Sequence, residues 1–387
     1  MKKLLFGIDR FIQQKDKFKN LRFALLTNNA ATSAVGILSR VALMQSGVYL
    51  VKLFSAEHGL TAQAEDGSFQ DDIWDPITDL PVISLYGDRL KPSQNDLADV
   101  DGVLVDIPDV GCRFYTYLWT MTYVMEACAT FKKSLFILDR PNPIGGNLDL
   151  AEGPMLDELH CSSFIGRWSM PIRHSCTLGE LACYFGATRV KNLDLEIIET
   201  QNFKRELSAK SVNSIFSPPS PAIRDAETAL LYPGMGLLEG INVNEGRGTE
   251  FPFKIFGAPW INASQLHKSF ERLQIPGITS QAQSFKPSFG LYAKQYCHGL
   301  KFVVTDAFKF RPVLTGLKII GLITSQYPEY CKERLYTTRA NPTGKNHLDK
   351  LTGVFYSFEK IKSGEMTAQP LIASAWKKTL QPYLLYE

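Results

Sequence analysis

The sequence has little excess charge of either sign. Forty-two Lys and Arg stand against 39 Asp and Glu, a formal +3 over 387 residues, with no clustered basic tract, so the dense positive field of a nucleic-acid binder is missing. No apolar run is long enough to cross a bilayer, and no membrane span is expected. The opening MKKLLFGIDRFIQQ has a basic tip but only about five apolar residues before Asp9 and Arg10, too few for the apolar core of a secretory leader. A cytoplasmic location is therefore expected, with a periplasmic or secreted one the alternative had a leader been trimmed. Cysteines are few and unpaired in pattern: seven, irregularly spaced, with Cys112, Cys128, Cys176 and Cys183 inside apolar patterns, which suits buried thiols in a reducing compartment. Phosphate and metal motifs are absent as well. Gly234, Gly236 and Gly240 are wrongly spaced for G-x-G-x-x-G, and there is no G-x-x-x-x-G-K-[ST], G-x-S-x-G, H-E-x-x-H or C-x-x-C. Dinucleotide, nucleotide triphosphate, serine-hydrolase and zinc readings lose their usual support, and neither cofactor nor metal is expected.

What is present is ordinary globular text. At 45% hydrophobic and 21% charged residues, the chain can bury a large core and should divide into about two domains. Up to about residue 150, β-rich apolar runs at Leu21–Thr27, Val48–Phe54, Val82–Tyr86, Val103–Ile107 and Ser134–Leu138 alternate with helical patterns, clearest at Ile37–Gln45 and Arg113–Phe131. That alternation predicts an α/β fold with a doubly wound parallel sheet under crossover helices. A Gly/Pro-rich stretch, Pro141–Pro154, divides the chain into residues 1–155 and a mixed α/β part, 156–387. In the second part, Thr177–Glu180 has capping-box spacing and predicts a helix over Leu178–Phe185. Strands are expected at Leu195–Glu199 and Leu300–Thr305 and a helix at Val313–Ser325. Ser217–Trp260, rich in Gly and Pro, reads as a long loop or hairpin.

Ligands bind an open parallel sheet beyond the carboxyl ends of its strands, so the residues that follow each strand are the candidates. They are Asn28 after the first run, Glu57 and His58 after the second, Gly87-Asp88 after the third, Asp109 to Arg113 after the fourth, and Asp139, Arg140 and Asn142 after the fifth. Glu57 stands out, beside His58 and ahead of a glycine that permits an unusual backbone. It could equally be a helix cap or a surface charge. Arg113, Tyr115 and Tyr117 open a buried helix whose positive end suits an anion, or else they pack the core. Asp139-Arg140 is either part of a site or an ion pair beside a rigid Pro-Asn-Pro turn, and His174 either a ligand or a satisfied structural histidine. In the second part, Asn242, Glu245 and Arg247 lie in a glycine-punctuated loop that ends at Trp260, a ring able to stack on a sugar or to fill the core. Residue chemistry alone stops at an α/β enzyme with a polar cleft and candidate carboxylates.

The strings LFSAEHG, LYGDRLKPS, DVGCRFYTY, LDRPNPIGG, EGPMLD, MPIRHSCTLGELA, ALLYPGMGLLEGINVNEGRGTEFPFKIFGAPW and HLDKLTG resemble, in this order, the exo-β-N-acetylmuramidases, from about Gly7 to the C-terminus. The resemblance implies a Rossmann-like domain joined to a smaller α/β domain with the active site in the cleft between them, and Glu57 of the EHG motif as the catalytic residue with His58 beside it. It further implies release of N-acetylmuramic acid from non-reducing ends of peptidoglycan-derived saccharides. The chain departs from the family at Ala56, where Pro is usual, at Pro108, where Gln is usual, and at Ser175-Cys176, where Gly-Met is usual. Alternatives are a catalytically silent muropeptide-binding protein and a Rossmann-type sugar transferase, the latter without its glycine fingerprint. The second catalytic group is either the sugar's own 2-acetamido group or a carboxylate, with Glu245 and Asp139 the candidates. The lactyl carboxylate that marks a muramyl end calls for a cation, and Arg113 or Arg247 is expected to supply it.

Overall fold

The computed structural model describes residues 3–68, 71–205, 216–338, 341–368 and 374–387. Its larger sheet is built from β1 (Arg22–Leu26), β2 (Tyr49–Ser55), β3 (Ile73–Asp75), β4 (Leu80–Ser84), β5 (Gly102–Val105), β6 (Ser134–Leu138) and β7 (Leu195–Ile198), in the order β3-β4-β2-β1-β5-β6-β7. All pairs are parallel except β3 with β4 at one edge. The chain winds outward from β1 in both directions, so the order reverses between β1 and β5, and the crevice above that point is where an open α/β sheet takes its ligand.

The central strands are apolar on both faces because both are covered. Along β1, Phe23 and Leu25 join one buried cluster while Ala24 and Leu26 join another, the two-residue alternation of a strand. The first cluster is closed by α1 (Gly7–Gln13) and α2 (Ser39–Gln45). The second is closed by α3 (Tyr117–Phe131) and α4 (Leu178–Thr188). The helix expected over Arg113–Phe131 starts only at Tyr117, since residues 113–116 form turns. At α4 the capping box forms as the sequence indicates: Glu180 N donates to Thr177 Oγ1 at 3.2 Å, and Thr177 N donates to Glu180 Oε2 at 3.1 Å. The strand at Leu195–Ile198, which follows the Gly/Pro-rich stretch, adds to β6 in the large sheet rather than to a separate one.

The smaller sheet is antiparallel, in the order β8 (Ile255–Ala258), β10 (Cys297–Val304), β9 (Ile278–Phe285). Around it lie α5 (Ala226–Met235), α6 (Ala263–Glu271), α7 (Pro312–Gln326) and the short α8 (His347–Thr352). The expected long loop at Ser217–Trp260 is thus largely ordered, with α5, a 3-10 turn over Gly236–Gly240, and β8 inside it. Gly234, inside α5, marks close helix packing, whereas Gly246 and Gly248 do turn the chain, at φ +86° and +80°. A Cβ on Gly234 would lie 1.9 Å from the Pro312 carbonyl oxygen, and one on Gly316 would lie 2.3 Å from the Gly234 oxygen, so α5 and α7 touch through bare backbone. The apolar cluster under α3 runs through Phe114 and Tyr232 into Phe256, Phe302 and Ile320, and so joins the two parts in one core. All seven cysteines are free thiols, six of them buried. Among the described residues no helix is long and apolar enough to cross a membrane.

Candidate active site

The cleft between the two parts encloses about 740 Å³, counting space open to solvent, and its walls come from both. The large sheet contributes Glu57 and His58 after β2, Asp66 farther along the same loop, Tyr86 after β4 and Thr116 before α3. Glu239, Arg247, Tyr336, His347 and Lys350 face them from the second part.

Glu57 is 5% exposed and held at both oxygens. Thr116 Oγ1 donates to Oε2 at 2.7 Å, and the Gly67 N–H donates to Oε1 at 3.0 Å. The second bond exists because the loop doubles back on itself. Gly67 has φ +69°, and a Cβ there would lie 2.9 Å from Thr338 Cγ2, so glycine is required on both counts. His58 and Gly59 also take left-handed backbone, at φ 67° and 68°, which starts the reversal. The His58 Nδ1–H donates to the Ala64 carbonyl at 2.8 Å, leaving Nε2 toward the carboxylates.

Two carboxyl groups share this pocket, and their surroundings push them apart. Burial first, then the charge of Asp66, raises Glu57 above its ordinary value, outweighing the hydrogen bonds from Thr116 and Gly67. Burial acts in the same sense on Asp66, but Arg247, His58 and the Tyr336 hydroxyl overcome it and hold Asp66 below its ordinary value. Tyr336 Oη donates to Asp66 Oδ2 at 2.5 Å, and Arg247 Nη2 lies 3.6 Å from Asp66 Oδ1. Tyr86, pushed up by burial and by neighbouring Glu57, stays a neutral phenol. One group is therefore poised to keep a proton and its neighbour to stay charged, a pairing that suits acid catalysis beside a fixed anion.

Glu57, His58 and Asp66 are also of metal-ligating type, with ligand atoms within 4.8 Å of one another. Asp66 in this set is already tied to Arg247.

The sequence-derived candidates separate into those at the cleft and those behind it. Glu57, His58 and Arg247 line it. Arg247 is saturated there: it reaches Glu239 Oε1 at 2.8 Å and Glu245 Oε1 at 3.3 Å as well as Asp66. Glu245 lies outside the cleft lining, between Arg247 and Arg334, and burial raises it above its ordinary value.

Arg113 is fully buried and donates to three main-chain carbonyls, those of Pro154, Met170 and Leu351, at 2.8–2.9 Å. Its role is to join three segments. Asn28 donates to Tyr117 Oη at 3.1 Å, and Tyr117 donates to the Pro219 carbonyl at 2.6 Å, a buried brace behind His58. Asp139, pushed up to about 6 by burial, accepts from Tyr386 Oη at 2.6 Å and Gly179 N at 2.8 Å, which anchors the C-terminus to the end of β6.

Arg140 forms a two-bond ion pair with Asp106, Asn142 bonds to the Cys176 carbonyl, and His174 packs against Asp109 at 3.2 Å. Asn242 is bound to the backbone of Tyr330 and Lys332. Trp260 stacks near Tyr330 and bonds to Tyr292, away from the cleft. Asp66, Tyr86, Thr116, Glu239, Tyr336, His347 and Lys350 were not singled out from the sequence. Of these, Tyr86, Thr116, Glu239, His347 and Lys350 lie in strings that carried the resemblance, and Asp66 and Tyr336 lie outside them.

Two family models, described as the N-terminal and C-terminal parts of Exo-beta-N-acetylmuramidase NamZ, match residues 23–227 and 230–386. The chain is 38% identical over 384 residues to the Peptidoglycan beta-N-acetylmuramidase NamZ of Bacillus subtilis (strain 168), covering 98% of this chain and 89% of that protein. Crystal structures of two DUF1343 family proteins from Bacteroides fragilis NCTC 9343 are similar in fold. One gives a TM-score of 0.86 at 27% identity over 100% of both chains, and the other 0.73 at 25% identity over 99% of both.

Proposed function

The chain belongs to the exo-β-N-acetylmuramidase family, and from that premise we propose that this glycoside hydrolase releases N-acetylmuramic acid from non-reducing ends of peptidoglycan fragments, with Glu57 protonating the leaving oxygen. The observation that carries the assignment is the opposed pair: Glu57 driven toward its protonated form and Asp66 toward its ionised form within one cleft. A glycosidic oxygen is a poor leaving group, so bond cleavage needs a proton donor that still holds its proton near neutral pH. Thr116 and Gly67 fix the carboxyl that supplies it.

Asp66 is the second carboxylate in this reading, in place of Glu245 and Asp139. Its charge faces the oxocarbenium-like centre that develops as the bond breaks. Oxygens of the two groups lie within 4.8 Å of one another, short of the roughly 6.5–9.5 Å that accommodates an attacking water in inverting enzymes. In this reading the Asp66 carboxylate bonds to the anomeric carbon as the glycosidic bond breaks, and water then displaces it while Glu57 takes the water's proton, so the outcome is net retention. Proton NMR of the first-formed sugar should show the β-anomer, and α-anomer appearing first would remove Asp66 from this role.

The test of Glu57 is Glu57→Gln, which keeps the shape and cannot donate the proton. Turnover of a muramyl disaccharide should fall by about 10²–10⁴-fold in a folded protein. The loss should be smaller on a nitrophenyl muraminide, whose leaving group needs no protonation. Near-full turnover of the disaccharide would refute the assignment.

A further inference from the structure

The second wall of the cleft holds an unmatched cation. Lys350 lines the cleft, half-buried, and its Nζ donates to Asn341 Oδ1 at 2.7 Å. An ammonium has three donors, and among the described residues no carboxylate is paired with this one. Arg247 in the same cleft is the opposite case, with three carboxylates around it. Three residues before Lys350 on α8, and so on the same helical face, stands His347. It is 6% exposed, both of its ring nitrogens are without hydrogen-bond partners among the described residues, and Nε2 lies 4.0 Å from Glu239 Oε2, too far for a hydrogen bond. Its ring lies 4.4 Å from that of Tyr336, nearly parallel. A half-buried ammonium with no carboxylate partner, beside a buried imidazole with no hydrogen bond, is stabilised when an anionic, hydrogen-bonding group binds there. Burial accordingly holds Lys350 below the ordinary lysine value.

We propose that Lys350, supported by Asn341 and His347, is the subsite for the lactyl carboxylate of the muramyl residue, and so distinguishes muramyl from plain N-acetylglucosaminyl ends. This rests on the hydrolase reading above. Arg113 cannot take the part, with its guanidinium bound to three carbonyls, and Arg247 has no charge to spare.

The test compares an aryl N-acetylmuraminide with its lactyl methyl ester, which keeps the shape and loses the charge. Wild-type protein should favour the acid by about ten-fold, through KM, the scale of one charged hydrogen-bonded contact. In Lys350→Met the acid-to-ester ratio should collapse to about one, and in Lys350→Arg it should be partly restored. A wild-type ratio near one, or a ratio that survives in Lys350→Met, overturns the subsite. Calorimetric titration with free N-acetylmuramic acid and N-acetylglucosamine reads the same contact without turnover, with a preference for the former that is lost in Lys350→Met. Equal affinities in the wild type overturn the subsite whatever the activity, whereas absence of muraminide cleavage by the wild type overturns the hydrolase reading whatever the affinities.

Discussion

Replacing Arg113 by methionine separates a structural arginine from a substrate-reading one. The side chain is fully buried and gives three hydrogen bonds, to the carbonyls of Pro154, Met170 and Leu351. Methionine fills much of the space but donates nothing, so three carbonyls lose a charged donor. An unsatisfied buried polar group costs about 1–3 kcal/mol, which sets a range of roughly 3–9 kcal/mol before relaxation. Two effects pull toward the lower end. The bond to Pro154 is only partly buried, so water can replace it. Burial also disfavours the charge, pushing Arg113 down to about 10, and its removal returns part of that cost. The expected loss is about 3–5 kcal/mol, read as a lower urea midpoint at an unchanged slope. Since the Leu351 carbonyl belongs to α8, its amides should exchange faster in the variant. A variant that unfolds within about 1 kcal/mol of wild type, yet raises KM for muramyl substrates selectively, would refute this reasoning and return Arg113 to the substrate.

Further expectations concern the titrating groups. With Glu57 raised and Asp66 lowered, kcat/KM should fall at high pH as Glu57 loses its proton, above the ordinary glutamate range, and at low pH only below the ordinary aspartate range. Asp66→Asn removes a charge that raises Glu57, so the alkaline limb measured on residual activity should move to lower pH; an unmoved limb would show that the two do not interact. Asp139 is raised from 3.8 to about 6, so the folded state favours its protonated form: that contribution to stability is full below 3.8 and is lost as pH rises through about 6. Asp139→Asn should flatten the stability profile across this window in chemical denaturation, and an unchanged slope would show that Asp139 does not supply it. Activity should survive exhaustive chelation and dialysis, because proton transfer between Glu57 and the leaving oxygen needs no ion; restoration of a dead dialysed enzyme by zinc or magnesium would contradict this.

The strands of the large sheet other than the short edge strand β3, and the helices α2, α3 and α4, were legible because their signals are local. Apolar runs such as Ser134–Leu138 are buried on both faces, and Thr177 and Glu180 are close enough in the chain to cap one helix turn. Glu57 was legible because a strand ends beside it. Gly234 in Ser217–Trp260 misled, since a glycine that lets α5 meet α7 reads the same in a string as one that makes a turn, as Gly246 and Gly248 do. Asp66 carried no signal: it sits in a polar, aperiodic stretch, and acquires its role only when Gly67 turns the loop back on Glu57 and Tyr336, 270 positions away, donates to it.

The arginines make the same point. Arg113 and Arg247 were equal candidates as text. What separated them was which groups the folded chain brought to each, backbone carbonyls for one and carboxylates for the other. The sequence alone determined the α/β order and one carboxylate at a strand end, because periodicity and strand termini are properties of neighbouring residues. Tertiary structure decided its charged partner, its proton affinity and the unmatched lysine opposite, because burial and Coulomb interactions depend on distance through space, not along the chain.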